Sequence, residues 1–516
     1  MPDKTHSTYD EVPYESHPFA ESHPDRLATM ARLFGMQAAP VQQCRVLELG
    51  CAAGGNLIPI AAQFPKSEFI GIDLAARQIA DGKAQIAALG LRNIRLLHQS
   101  ILDFDVRAGE FDYIICHGVY SWVPDKVQDK VLEICERQLE PQGVAYISYN
   151  TYPGWHFRGM IRDMMIYHTR ELTDPVTRVG QARALLDFLS QVVPTENNAY
   201  GIMLRNELDL LRGCRDSYLF HEHLEDANHP TYFHQFMERA ARYGLQYLGE
   251  TSLSAMLTSN FSKEIADTLR RISSDIIRTE QYMDFVRNRT FRQTLLCRSG
   301  IPLERNLTPD RILPFHFASP AKPLAAGEGR SEAFQTTGGA TFIPAQPLVK
   351  AAFHYLTEIW PRAASFDELY AAARARTGDE NAASARKTLA ADLLTSYTAN
   401  IVELHTHPAN FVTAIGTQPK ASLLAREQVR LGRTVTNQRH EPIFLDDLNW
   451  RLLPLLDGAR DRSKLIEELV RMAVDGVLLV QKEDTRLTDG EALRTALAPA
   501  LDLALTHLAR SALLVA

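Results

Sequence analysis

An alternation over residues 44–149 constrains this chain more than any other feature. Short β-rich apolar runs, CRVLEL (44–49), EFIGID (68–73), NIRLLH (93–98), FDYIICH (111–117) and GVAYISY (143–149), punctuate it. Between them NLIPIAAQF (56–64), ARQIADGKAQIAAL (76–89) and DKVQDKVLEICERQL (125–139) carry helical periodicity. Short buried runs separated by amphipathic helices predict βαβ units and a mostly parallel sheet. A ligand of such a sheet sits beyond the carboxyl ends of the strands, where the strand order reverses.

The first strand-to-helix seam, VLELGCAAGGNL (46–57), holds three glycines. Gly50 and Gly55 have the spacing of a P-loop, but Asn56 and Leu57 stand where a lysine and a hydroxyl would hold phosphate and Mg²⁺. Ala52 occupies the second glycine position of a dinucleotide loop, which weakens backbone approach to a pyrophosphate. What remains is E-x-G-x-x-x-G after the first strand, with Asp73 closing the second. This pattern resembles motif I of class I S-adenosylmethionine-dependent methyltransferases. That ligand carries no phosphates, so the loop need not cradle an anion. Gly50 and Gly54 let main chain press against it, and an acceptor-only carboxylate at Asp73 suits a ribose diol. Glu48 either orients the loop or faces the amino acid moiety. The resemblance implies further cofactor contacts from Cys51, Asn56, Leu74 and Gln78, and from His117 after the fourth strand. In HQSILDFD (98–105) it places the adenine partner at Ser100 or Asp103, with Ile101 flanking the ring. Cys51 itself is read as a small packing thiol rather than a nucleophile.

Longer stretches narrow the family. YDEVPYESHPFAESHPDRLATMARLFGM (9–36), FDYIICHGVYSWVP (111–124), GVAYISYNTYPGWH (143–156) and HLEDANHPTYFHQFMERAARYGLQYLGE (223–250) resemble bacterial class I methyltransferases with a regulatory domain. That group includes lysine methyltransferases acting on outer-membrane proteins. The likeness covers most of residues 9–300 and, more weakly, the C-terminal region. It implies an N-terminal lid over the cofactor, formed by Tyr9, Tyr14 and the Ser-His-Pro repeats (16–18 and 22–24). The acceptor is expected near His117, Tyr120 and Ser121, and beside Tyr149, Asn150, Tyr152 and Trp155. Aromatic faces attract a lysine ammonium, and desolvation lowers its pKa toward the neutral, nucleophilic amine. Tyr120, Asn150, Tyr152 and Trp155 are therefore the candidate catalytic residues. Packing between the sheet and the following helices is the competing role for these aromatics.

The expected fold class is α/β, a Rossmann-like methyltransferase sheet with a helical insertion, followed by a mainly helical, winged-helix-like region. The expected organisation is a lid segment (1–43), a methyltransferase domain (44–300) interrupted by helices at about 155–230, and a linker (301–340). A winged-helix-like unit (341–440) and a helical unit (441–516) complete it. Apolar stripes in RDMMIYHTREL and ALLDFLSQVV suggest that the insertion forms a homodimer. A net charge of −7 gives no global basic field. The helix AASARKTLAADLLTSY has only Arg386 and Lys387 to offer, fewer than a DNA-reading helix needs. A protein substrate is thus expected and DNA is not.

The six cysteines contain no CxxC pair, which argues against a disulfide framework or zinc ribbon and fits a reducing compartment. His221, His223 and His229 cluster in HEHLEDANH, but methyl transfer needs no metal and none is expected. No 18-residue apolar run and no signal-peptide core occur, so a cytoplasmic location without membrane insertion is expected. Methylation of a small molecule or tRNA, and a non-catalytic scaffold keeping the cofactor fold, are the alternatives.

Overall fold

The computed structural model describes residues 16–104, 109–225, 227–273, 275–324, 332–378, 382–482 and 485–516. Its centre is a seven-stranded sheet built from β1 (Arg45–Leu49), β2 (Glu68–Asp73), β3 (Ile94–His98), β4 (Phe111–Cys116), β5 (Leu139–Asn150), β6 (Leu245–Glu250) and β7 (Phe291–Arg298). The order is β3-β2-β1-β4-β5-β7-β6. The first five strands pair in parallel, and β7 runs antiparallel to both β5 and β6. The order reverses between β1 and β4, so the loops leaving these strands open into one crevice.

Local signals set the element ends. Helix α1 (Pro24–Leu33) begins with proline at its first position, where the missing N–H is harmless, and the His23 side chain accepts from Asp25 N–H. Helix α2 (Leu57–Gln63) follows the glycine loop. Helix α3 (Ala76–Leu89) stops at Gly90, whose φ of +64° supplies the left-handed cap. After α4 (Asp125–Gln138) the chain enters β5 without a loop, four residues before the apolar run suggested, because fully buried Leu139 already pairs with Phe111.

The insertion comprises α5 (Trp155–Thr169), α6 (Pro175–Val192), α7 (Ala199–Arg212) and α8 (Asp216–His223). These helices bury a small core of their own, including Met165, Leu186, Leu208 and Phe220. Helix α9 (Phe233–Arg242) returns to the sheet and packs beneath it with Phe111, Tyr120 and Tyr149. The opposite sheet face shares one continuous core with α1 and with residues 312–424.

The described parts of the segment expected as a linker (301–324 and 332–340) contribute to that shared core: Ile312, Phe315, Phe317 and Phe334 are buried. Apolar side chains spaced among the glycines and prolines gain more from burial than a free linker would. Downstream, helices Pro347–Ile359, Phe366–Thr377 and Ala382–Thr398 accompany a three-stranded sheet of His316–Ala318, Ala364–Ser365 and Glu403–His405. Residues 421–514 form a separate core around helices Arg462–Val474 and Gly490–Arg510. Among the described residues no helix is long and apolar enough to cross a membrane.

Candidate active site

The glycine loop is folded against the loop leaving β4. Gly50 (φ +80°) and Gly54 (φ +77°) hold left-handed backbone, and a Cβ on Gly50 would stand 2.3 Å from Val119 Cγ2. Glycine at 50 is therefore required by approach as well as by dihedral angle. Gly50 and Cys51 N–H both donate to Ile72 O (2.9 and 3.0 Å). Ala52 N–H donates to Asp73 Oδ2 and Ala75 N–H to Asp73 Oδ1, each at 2.8 Å. Main chain thus orients the half-buried Asp73 carboxylate from two sides. The Cys51 thiol lies against Gly71, where an added Cβ would come within 2.7 Å of Sγ. Burial pushes that thiol well above its ordinary pKa, so the side chain packs and the backbone shapes the loop.

Glu48 is buried at the end of β1. Its Oε1 accepts from Asn56 Nδ2 (2.7 Å), and its Oε2 is buried without a hydrogen-bond partner among the described residues. Burial, with a smaller contribution from the Asp73 charge, pushes Glu48 up to about 8, so the acid is protonated at neutral pH. Phe19 N–H donates to Asn56 Oδ1 (3.0 Å), Gly55 N–H donates to Ser16 Oγ (2.7 Å), and the Phe19 ring lies 3.8 Å from that of His117. Residues 16–23 therefore fold over the glycine loop. Tyr9 and Tyr14 lie outside the described residues.

On the opposite flank, Leu74 is exposed just beyond β2, and Gln78 is buried on α3. Ser100 Oγ caps the turn Ile101–Asp103 by accepting from Leu102 N–H (3.2 Å), which leaves Ile101 buried and Asp103 exposed.

Beyond β4, His117 Nδ1 lies 2.7 Å from the Tyr146 hydroxyl and 3.4 Å from Ser148 Oγ. Burial lowers His117 to about 4. The ring is neutral at physiological pH and places no cation at the crevice. Ser148 Oγ also accepts from Gly118 N–H (2.8 Å), tying the β4 loop to β5.

The four candidate catalytic residues separate. Tyr120 does not reach the crevice: it is 1% exposed, its hydroxyl has no hydrogen-bond partner among the described residues, and its ring packs on Phe236 (5.3 Å) and Tyr149 (6.1 Å). The short 3₁₀ turn Tyr120–Trp122 sends the ring beneath the sheet, where its apolar area is buried. Asn150 ends β5, takes Ser121 Oγ on its backbone N–H (2.8 Å), and donates from Nδ2 to Asn228 Oδ1 (3.1 Å). Tyr152 stacks on His156 (4.1 Å) and leans toward Tyr232 (5.2 Å). Trp155 opens α5 with its ring 6.1 Å from Trp122.

Tyr152 and Trp155 form one end of a cleft of about 830 Å³ that runs along α5 past Asp163 and Met164 to Tyr167. Tyr167 is 71% exposed, so the cleft reaches the surface.

Several supporting residues carried no sequence signal. Tyr146 and Ser148 matter through His117 and Gly118, which lie about thirty residues away in the chain. Fully buried Arg292 is paired with Glu250 (2.8 Å), Asp284 (2.8 Å) and Glu280 (3.0 Å), with its guanidinium 3.7 Å from the Phe233 ring centre. This network braces the β5–β7–β6 edge behind Asn150. In the histidine cluster, His221 Nδ1 meets Glu225 Oε1 at 3.0 Å.

A sheet in this order with its first five strands parallel, a left-handed glycine loop at its switch point and an oriented acid closing β2 define a methyltransferase-type crevice. Residues 46–143 match the methyltransferase domain family, residues 215–298 the predicted methyltransferase regulatory domain, and residues 417–513 the C-terminal winged helix domain of PKMT. The uncharacterized protein RP789 of Rickettsia prowazekii (strain Madrid E) is 37% identical over 95% of this chain and 90% of its own length. PKMT2 from Rickettsia typhi has the same fold, with a TM-score of 0.89 and 31% identity over 98% of this chain and 100% of that one. A second structure of PKMT2, in complex with AdoHcy, gives a TM-score of 0.88. The chain belongs to this family of S-adenosylmethionine-dependent methyltransferases, which joins a class I methyltransferase sheet to a regulatory and a winged-helix domain.

The winged-helix match falls on 417–513, beyond most of the 341–440 segment to which helix–strand spacing assigned it. Both segments combine helices with small sheets, Thr434–Thr436 pairing Pro442–Phe444 in the second. Spacing alone therefore does not separate them.

Proposed function

We propose that this chain transfers a methyl group from S-adenosylmethionine to the side-chain amine of lysine in a protein. The likeness to PKMT2 supports the protein acceptor. The cleft running from Tyr152 and Trp155 to the surface along α5 carries the reading, because a macromolecular side chain needs an open, aromatic approach to the strand edge.

Three features of the crevice support the donor: the left-handed glycine loop beyond β1, the Asp73 carboxylate oriented by main chain at the end of β2, and the buried Glu48 Oε2, which has no hydrogen-bond partner among the described residues. In this reading Asp73 holds the ribose hydroxyls and the backbone of Gly50, Cys51 and Gly54 lies along the methionine portion. Leu74, Ile101, Gln78 and Ser100 border the base. The bound donor supplies an electrophilic methyl on a sulfonium, and displacement at it needs an aligned neutral nucleophile. The neutral His117 ring avoids repelling that cation. Tyr152 and Trp155 guide the lysine chain, and Asn150 Oδ1 serves as an acceptor for the amine. Free lysine has a pKa of about 10.4, so the desolvating wall must favour the neutral amine.

The insertion is also the proposed dimer contact. Val176, Phe188, Val192 and Leu210 leave large apolar side chains exposed on its surface.

The test pairs calorimetric S-adenosylmethionine binding with a radiolabelled-methyl assay against lysine-rich peptides, intact outer-membrane protein, tRNA and a metabolite extract. Asp73→Ala is expected to weaken cofactor binding by about a hundredfold, as loss of two charge-assisted hydrogen bonds requires. Label should enter protein lysine only. Label in tRNA or metabolite, or undiminished binding by Asp73→Ala, overturns the reading.

A further inference from the structure

The tip of a hairpin in the C-terminal winged-helix region enters the cofactor crevice. The loop between Thr434–Thr436 and Pro442–Phe444 is organised by Asn437, whose Oδ1 accepts from Arg439 N–H and Glu441 N–H, both at 2.9 Å. Arg439 anchors its flank through Glu403 Oε2 (2.8 Å) and lies 4.5 Å over the Trp360 ring. At the tip, His440 is 1% exposed, and its Nε2 lies 2.8 Å from Asn56 Oδ1, across 384 positions of sequence.

Hydrogen-bond chemistry fixes the direction of that contact. Phe19 N–H donates to Asn56 Oδ1, so this atom is the amide oxygen. His440 Nε2 must therefore carry the proton, which leaves Nδ1 of the neutral ring bare, and Nδ1 is buried without a partner among the described residues. His440 also holds left-handed backbone at φ +62°, which is unfavourable for a side chain with a Cβ. A strained, half-satisfied, fully buried histidine persists only where the surroundings over-determine it. Here the surroundings are the amide that holds Glu48. Asn56 Nδ2 donates to Glu48 Oε1 (2.7 Å) and Ser22 Oγ (3.0 Å), so His440 from one side and Ser22 from the other set the angle of the amide.

We propose that His440 is a positioning residue of the cofactor site: the C-terminal hairpin holds Asn56, and through it Glu48, in the orientation the bound cofactor meets. Cofactor affinity then depends on a residue in a different domain from the glycine loop. The inference rests on the assignment of the crevice to S-adenosylmethionine.

Calorimetric binding of S-adenosylmethionine to the full chain tests it, with melting followed by circular dichroism. His440→Phe keeps a buried ring but removes the N–H, and should weaken binding by about tenfold. His440→Gln restores an N–H donor and should recover affinity to within about threefold of wild type. Leu469→Ala opens the C-terminal core without removing the His440–Asn56 contact and should lower the melting temperature with affinity unchanged. His440→Ala replaces the phenylalanine variant if the latter does not fold. The proposal is overturned if His440→Phe binds as wild type does, if Leu469→Ala weakens binding equally, or if His440→Gln fails as His440→Phe does. Asp73→Ala separates the two readings. If it binds normally, the crevice assignment falls and the proposal with it. If it loses binding while His440→Phe does not, only the positioning role is lost.

Discussion

The helical insertion and the 312–424 lobe are both mainly helical, yet they attach to the sheet in opposite ways. The lobe has no separate interior: Phe317, Phe353 and Leu369 belong to the same core as Val46 and Tyr113 of the sheet. The insertion closes on itself around Met165, Leu186 and Leu208 and leaves Phe188 and Val192 to solvent. A shared core makes the lobe part of the catalytic body's cooperative unit. A private core with apolar remainder outside suits an element that meets another chain and moves as a unit.

Truncation of Phe353, packed between Phe334 and Phe342, should break the lobe's attachment most severely. Phe353→Ala is expected to cost about 3–5 kcal/mol, and hydrogen exchange should rise in β1 and β4 as well as in the lobe. Exchange confined to 347–398 would contradict a single unit. Leu186→Ala removes a comparable buried chain from the insertion and should cost about 2–4 kcal/mol. Its faster exchange should stay within 155–224, with S-adenosylmethionine affinity preserved.

A third test uses charge at the seam between α1 and the lobe. Burial alone would lower His405, but the carboxylates of Asp25 (2.9 Å) and Glu403 (3.3 Å) outweigh it and raise the imidazole to about 9. Asp25 is correspondingly lowered to about 2, its bonds to His405 and Thr406 outweighing burial. With the folded pKa of His405 above the unfolded value of about 6.5, its stabilisation is complete below that pH and lost as pH rises through 9. The Asp25 contribution is present above pH 4 and lost as pH falls through 2. Thermal melts should lose about 2 kcal/mol between pH 7 and 10, and His405→Gln should flatten that slope. The smallest effect on the folded chain is expected from Phe188→Asp, within about 0.5 kcal/mol because the site is exposed. Light scattering should nonetheless show a dimeric wild type and a monomeric variant. An unchanged mass for the variant removes the insertion as the dimer contact.

The sequence alone determined the parallel sheet, the glycine loop and the acid closing β2, because these are local: strand period, left-handed glycines and a strand-end carboxylate lie within thirty residues of one another. It also placed Tyr152 and Trp155 just beyond the end of β5, since that end follows from the strand pattern. It misplaced Tyr120, because whether an aromatic after β4 turns to the crevice or beneath the sheet depends on Phe236 of α9, more than a hundred residues away. The 301–340 segment read as a linker for the same reason: its glycines are local, while the core that buries Phe334 is not. His440 and Arg292 gave no local sign at all. Their roles arise from hydrogen-bond and ion-pair partners that only the folded chain brings within 3 Å, and a one-dimensional pattern holds no record of such distances.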